Sequence, residues 1–223
     1  MNKTGILAIL GTGIIIAVIL VVGNFNIKIN VDSKGDQTSA NQQAGQAIQG
    51  SQDDMASHHG GATPADETAF NSLLGKPAPD FTLESYDGKK IILSSLKGKN
   101  VILFFNEGLM CYPACWNQIV SFGKDVALKN KAVILNITAD PKNEWEQAIN
   151  KMPELAQSTV IFDTNRKVSE SYGVLNLPSS MHKGQFPGHS YVIIDKEGIV
   201  KFVKDDVQMA VRNQELNSEV DKL

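Results

Sequence analysis

Hydrophobic and polar positions divide the 223-residue chain into three stretches of different character. The first, residues 5–23 (GILAILGTGIIIAVILVVG), carries no charge, and Lys3 is the only charged side chain before it. As a helix those 19 residues rise about 28 Å, which matches the roughly 30 Å of a bilayer's hydrocarbon core. A cleaved signal peptide has a shorter apolar region and a small-x-small cleavage site; here the run continues into GNFNIKIN. The pattern therefore predicts an uncleaved anchor, with residues 1–4 as a cytoplasmic head and the remainder exported. Lys28 and Lys34 lie beyond the span, so the positive-inside count is nearly balanced and the orientation rests on the shortness of the head. Residues 24–66 follow as the linker, and from Asp32 onward they are Gln/Ser/Gly/Ala-rich and almost free of large apolar side chains. Such a segment buries too little surface to offset its ordering and reads as a flexible linker. Its Met55, His58 and His59 are metal-capable residue types but read as solvated filler.

In the third stretch, residues 67–223, apolar residues recur at strand and helix periods. DETAFNSLL predicts a short helix capped by Asp66, and FTLES and IILSSL two strands joined by a turn at Asp87-Gly88. NVILFFN (100–106) and AVILNIT (132–138) are near-continuous apolar runs suited to central strands covered on both faces. Pro113 to about Val126 has helical spacing. DPKNEWEQAINKM predicts a helix with Asp140 at the N-cap and Pro141 at the first helical position. STVIF (158–162), SYVIID (190–195) and GIVKFV (198–203) predict further strands, and DVQMAVRNQELNSEVDKL a closing helix. Strands alternating with helices and ending in a hairpin and a helix predict an α/β domain, three layers deep, around a mixed sheet.

Charge changes this picture little. A formal net charge of −3 with no basic patch argues against nucleic acid as a partner. Arginine is scarce, at Arg166 and Arg212 only, and there are two cysteines, Cys111 and Cys115, in NEGLMCYPACWNQIV. Two cysteines cannot make a stapled scaffold or a four-cysteine zinc site; they can make one bridge or supply two ligands.

GKPAPDFTLESYDGKKIILSSLKGKNVILFFN (75–106) resembles the opening of thioredoxin-fold redoxins of the alkyl hydroperoxide reductase/thiol-specific antioxidant family, including their membrane-tethered members. Ala78-Pro79-Asp80-Phe81, the Asp87-Gly88 turn, Leu96, Gly98-Lys99 and Phe104-Phe105 carry the resemblance, and SYGV (171–174) and SYVIIDKEGIV (190–200) extend it over about 70–205. It implies a thioredoxin-like α/β/α sandwich, with Cys111 at the N-terminus of the helix after the strand ending at Phe105. There, free N–H groups and the helix dipole favour thiolate, and Pro113 starts the helix. On an ideal helix, i to i+4 puts Cα atoms about 6.2 Å apart, toward the upper end of the roughly 4.4–6.8 Å that disulfides accept. A C-x-x-x-C bridge is thus expected to close near that limit.

Three functions fit such a scaffold. Thiol-disulfide exchange would use Cys111 as attacker and Cys115 as resolving thiol, on protein or small-molecule thiols and disulfides and with no cofactor. A cis-proline opposite the pair would be Pro178 or, nearer the strand, Pro187. Trp116 would line a partner groove, Glu107 would accept the Cys115 proton, and His189 would tune the pair. Peroxidase chemistry is disfavoured. The family's P-x-x-x-T-x-x-C positions hold Phe104 and Gly108 counted from Cys111, and Gly108 and Tyr112 counted from Cys115. His189 stands where a distant arginine is expected. The third reading resembles Sco-type copper chaperones, with Cys111, Cys115 and His189 as ligands and His182 or Met110 as supplements; two thiolates and an imidazole suit copper.

Overall fold

A computed structural model describes residues 64–223. The expected anchor at 5–23, nearly all of the 24–66 linker, and Met55, His58 and His59 lie outside the described residues, among which no helix is long and apolar enough to cross a membrane.

Seven strands form one mixed sheet: β1 Thr82–Ser85, β2 Lys90–Ile92, β3 Asn100–Phe105, β4 Ala132–Thr138, β5 Val160–Phe162, β6 Ser190–Ile194 and β7 Val200–Asp205. Their spatial order is β2-β1-β5-β4-β3-β6-β7. β3, β4 and β5 run parallel, and β1, β2, β6 and β7 join through antiparallel pairs. The apolar runs read from the sequence as central strands, β3 and β4, lie side by side near the middle, and all six β3 residues are buried.

Strand alternation sorts these side chains onto two cores. Ile102 and Phe104 of β3 with Tyr191 and Ile193 of β6 face one side, while Val101, Leu103 and Phe105 with Val192 and Ile194 face the other. Helices α2 (Ala114–Lys124), α3 (Val126–Lys131), α4 (Lys142–Lys151) and α6 (Asn213–Val220) cover the first side. The α2 contribution, Cys115, Trp116, Ile119 and Phe122, has helical spacing. Helices α1 (Thr68–Asn71) and α5 (Lys167–Ser171) cover the second, bringing Phe70 and Val168 beside the buried Tyr172 that follows α5. This is the thioredoxin-like three-layer arrangement.

Some local expectations change. Asp66 does accept the Thr68 N–H at the start of α1. Asp140, expected to cap α4, instead turns its carboxylate toward Thr138 Oγ1 and the Leu109 N–H, leaving Pro141 in extended conformation at the N-cap. A buried carboxylate takes the donors that reach it, and the loop before Cys111 supplies one. The closing helix is shorter than its pattern, because Asp206 accepts N–H bonds from Gln208 and Ala210 and holds 206–212 as a loop before α6.

Candidate active site

The site forms where β3 ends. Antiparallel pairing sets Phe105 opposite Ser190 and Phe104 opposite Tyr191, so residue 189, just before β6, arrives beside the loop that leaves β3. That loop makes a 3₁₀ turn, Gly108–Cys111, and then breaks from helical geometry at Tyr112, which is extended (ψ 135°), before α2 begins at Ala114.

Three side chains pin the turn from below. Asn106 Oδ1 accepts the Gly108 N–H at 2.9 Å, Asp140 Oδ2 accepts the Leu109 N–H at 2.9 Å, and the Trp116 indole N–H donates to the Gly108 carbonyl at 2.9 Å. Gly108 has φ +58°, and a Cβ there would overlap Asp140 Oδ2 and Thr138 Oγ1. Burial raises the Asp140 pKa against the lowering effect of the Thr138 and Leu109 hydrogen bonds.

Cys111 and Cys115 are joined by a disulfide with Cα atoms 5.4 Å apart. The expected near-limit separation is therefore corrected. Cys111 belongs to the 3₁₀ turn rather than to α2, and the break at Tyr112 folds it closer than one helix would allow. Cys115, not Cys111, is the residue within the first turn of α2. Both are buried, at 3% exposure for Cys111 and 0% for Cys115. Their surroundings differ. Cys111 is flanked by Met110 and Tyr112, which are 55% and 48% exposed, and the Lys151 ammonium sits 3.8 Å from the centre of the Tyr112 ring. Cys115 Sγ faces inward, 3.4 Å from His189 Nδ1.

His189 is buried against the edge of Phe104, and its Nε2 lies 2.8 Å from the Tyr191 hydroxyl. Burial, outweighing the pull of Asp206, lowers its pKa to about 4, so the ring is neutral at pH 7. Tyr191 Oη continues to Gln118 Oε1 at 3.0 Å, which also accepts the Arg212 backbone N–H at 2.7 Å. Burial raises the Tyr191 phenol pKa far above its usual range. The Arg212 backbone is thus joined to the site through Gln118, while its guanidinium forms a two-pronged pair with Asp206, both contacts at 2.7 Å.

Of the residues singled out in the sequence, the structure brings Cys111, Cys115 and His189 together, with their ligand-type atoms within 4.8 Å of one another. It corrects the other roles. Trp116 is 3% exposed; its ring packs in the core and its N–H holds Gly108, so it lines no groove. Glu107 is buried too, but its carboxylate accepts from the Met181 and His182 backbone N–H groups at 2.6 and 3.0 Å, from His182 Nδ1 and from Ser180 Oγ. With these donors around it, Glu107 anchors the 180–182 loop and is not the partner of Cys115. The cis peptide among the described residues is Tyr112–Pro113, not one at Pro178 or Pro187. Pro187 is buried in a trans approach to β6, fixed by the Gly188 N–H donating to the Val174 carbonyl. Met110 is exposed, and His182 is occupied by Glu107.

Tyr191 and Gln118 escaped the sequence reading, and Asp140 was read only as a helix cap. Tyr191 could have been found from strand period, two residues beyond His189 on the same face, and Gln118 from helical period, three beyond Cys115. Asp140 gave no such signal, because its partner Leu109 is 31 residues away.

Residues 74–203 match the model of the AhpC/TSA family. The chain belongs to that family. It is 32% identical over 131 residues to the chloroplastic peroxiredoxin Q of Triticum aestivum, an alignment covering 58% of this chain and 57% of the wheat protein. The chain thus spans little more than half the length of that relative. Among solved structures, the mitochondrial 2-Cys peroxiredoxin of Plasmodium falciparum superposes with a TM-score of 0.56 at 25% identity, covering 67% of this chain and 93% of that one. The peroxiredoxin-like protein of Aquifex aeolicus shares the fold at a TM-score of 0.57 and 21% identity, covering 67% of this chain and 86% of that one.

Proposed function

We propose that this AhpC/TSA-family protein is a membrane-anchored thiol-disulfide oxidoreductase working outside the cytoplasm, with Cys111 as attacking and Cys115 as resolving cysteine. The observation that carries the reading is the closed Cys111–Cys115 bridge with unlike surroundings at its two ends. Cys111 adjoins the exposed Met110 and Tyr112, where a partner's sulfur can approach, and Cys115 lies behind it against His189. The N–H groups of Ala114, Cys115 and Trp116 in the first turn of α2 have no helical acceptor, and they favour negative charge on sulfur as the bridge opens. Exchange then needs only attack by one thiolate and return by the other. The uncharged 5–23 run supports the anchor, and a bridge persists most readily in an oxidising compartment. Full-length protein that stays in membranes through an alkaline wash, with its domain open to added protease, is the expected topology; release as a shortened soluble form would reject it.

A second reading, hydroperoxide reduction, is favoured by the peroxiredoxin names of the relatives. Against it, Gly108, Phe104 and Tyr112 occupy the Pro and Thr positions, His189 the arginine position, and Asp206 holds the Arg212 guanidinium. Polarising an O–O bond needs donors aimed at it in the transition state. One experiment ranks these uses: the purified domain with a dithiol reductant, offered a peptide disulfide or a hydroperoxide, and separately titrated with copper after reduction. The expected result is turnover of the disulfide with slow oxidation by peroxide. Fast peroxide turnover would establish the second reading. One-to-one copper binding that depends on His189, with negligible reductase activity, would establish a copper carrier instead.

A further inference from the structure

The hydrogen bonds behind Cys115 assign a proton to a particular nitrogen. Gln118 has its amide orientation fixed from two sides. Its Oε1 accepts from the Arg212 backbone N–H, which can only donate, and its Nε2 donates to Asn213 Oδ1 at 2.8 Å. The atom facing Tyr191 Oη is therefore an acceptor, as is the next nearest, the Ala210 carbonyl at 3.4 Å. Tyr191 has one hydroxyl proton, and it points to these oxygens, away from His189. The 2.8 Å contact between Tyr191 Oη and His189 Nε2 then requires Nε2 to be the donor. A neutral imidazole protonated at Nε2 carries its lone pair at Nδ1, and Nδ1 faces Cys115 Sγ at 3.4 Å.

We propose that His189 Nδ1 is the base that takes the proton of the Cys115 thiol, and that Tyr191 and Gln118 are positioning residues that hold His189 in the tautomer this requires. The proposal rests on the exchange reading and gives its second step a mechanism. With Cys111 joined by a disulfide to a partner's sulfur, Cys115 Sγ attacks Cys111 Sγ. The Cys111–Cys115 bond forms as the bond to the partner breaks, and the electron pair of the broken bond leaves on the partner's sulfur. The Cys115 proton passes to Nδ1, and the imidazolium returns it to the departing thiolate or to water. The two cysteines are oxidised and the partner is reduced, with no further reactant. The Nδ1 lone pair faces the sulfur that loses the proton, and the developing thiolate beside it stabilises the imidazolium. His189 touches the reacting sulfur and is catalytic; Tyr191 and Gln118 act through it.

The test uses the reduced full-length protein in detergent and the small disulfide 5,5′-dithiobis(2-nitrobenzoate), which releases one coloured thiolate when it caps Cys111 and a second when Cys115 resolves the adduct. His189→Gln and Tyr191→Phe are expected to slow the second release at least tenfold while the first changes less than twofold. Equal slowing of both releases, or an unchanged second one, would overturn the assignment. A fold-independent check on the wild type is the long-range ¹H–¹⁵N correlation spectrum of reduced protein, which should show His189 protonated at Nε2. Protonation at Nδ1 would overturn it even if Tyr191→Phe fails to fold. This reagent reports on the dithiol whatever the natural substrate, so failure here is separable from a finding that hydroperoxide outruns disulfide in turnover.

Discussion

Two buried tyrosines, one on each face of the sheet, show how differently the same side chain is used. Tyr172 packs with Phe81 and Phe105 in the core beneath α1 and α5, and its hydroxyl donates to the Pro79 carbonyl at 2.8 Å. The bond ends there, tying the N-terminal segment to the sheet. Tyr191 stacks on Phe104 in the opposite core, 4.9 Å between ring centres, but its hydroxyl sits between His189 and Gln118 in a chain that ends on a cysteine. Both phenols are forced far above their usual pKa range, chiefly by burial. The difference lies in what surrounds them. On the Tyr172 face a polar group is satisfied by one backbone atom. On the Tyr191 face Gln118, His189, Asp206 and Asn106 are all buried: Gln118 and His189 meet Tyr191 from either side, Asp206 pairs with Arg212, and Asn106 accepts the Gly108 N–H. A polar network inside a core is costly unless every member is paired, and here the pairing surrounds the one bond in the domain that can be chemically opened.

Substitutions on the two faces test this contrast. The largest effect is expected at Gly108, under the site face. Gly108→Ala combines a left-handed φ with overlap on Asp140 and Thr138, and should cost about 3–4 kcal/mol, the sum of a β-carbon in that conformation and overpacking. Urea unfolding of the oxidised protein measures it; a loss under 1 kcal/mol would mean that the turn is not pinned as described. Next comes the acid response of His189. Unfolded, its imidazole takes a proton near 6.5, whereas folded it resists until about 4. Stability is therefore full above 6.5 and falls as pH drops through that window, by an amount approaching roughly 3 kcal/mol. His189→Gln should flatten the pH dependence of the unfolding midpoint between 6.5 and 4 relative to wild type; identical slopes would contradict the burial account. The smallest effect belongs to the other face. Tyr172→Phe should cost about 1 kcal/mol for one hydrogen bond and leave both releases from the aromatic disulfide within twofold of wild type. A selective loss of the second release in this variant would erase the distinction between the tyrosines.

Much of the scaffold was legible because periodicity reports burial directly. The β3 and β4 runs, the Asp87-Gly88 turn and the spacing of α2 could be placed from residues alone, and period 2 along β6 explains why His189 shares a face with Tyr191. The cysteines were legible because thiols are rare and clustered here. The roles of Glu107, Trp116 and Asp140 were not. Each is a polar-capable side chain at a loop edge, and its partner is set by loops that sequence spacing does not specify. Glu107 meets residues 180–182 across 73 to 75 positions, and Arg212 meets Gln118 across 94. The helical ruler for the cysteines also misled, since Tyr112 leaves helical geometry between them.

The proposed exchange divides the labour, with Cys111 meeting the partner and Cys115 closing the pair from behind. Trapping of mixed disulfides distinguishes the two cysteines. Reduced Cys115→Ser and Cys111→Ser proteins are mixed with a disulfide-linked peptide, and the covalent adducts are counted by intact-mass spectrometry over time. Rapid, stable accumulation of a one-to-one mixed disulfide on Cys111 is expected in the Cys115→Ser protein, and little or none on Cys115 in the Cys111→Ser protein. Equal adduct formation on both cysteines, or faster formation on Cys115, would contradict it.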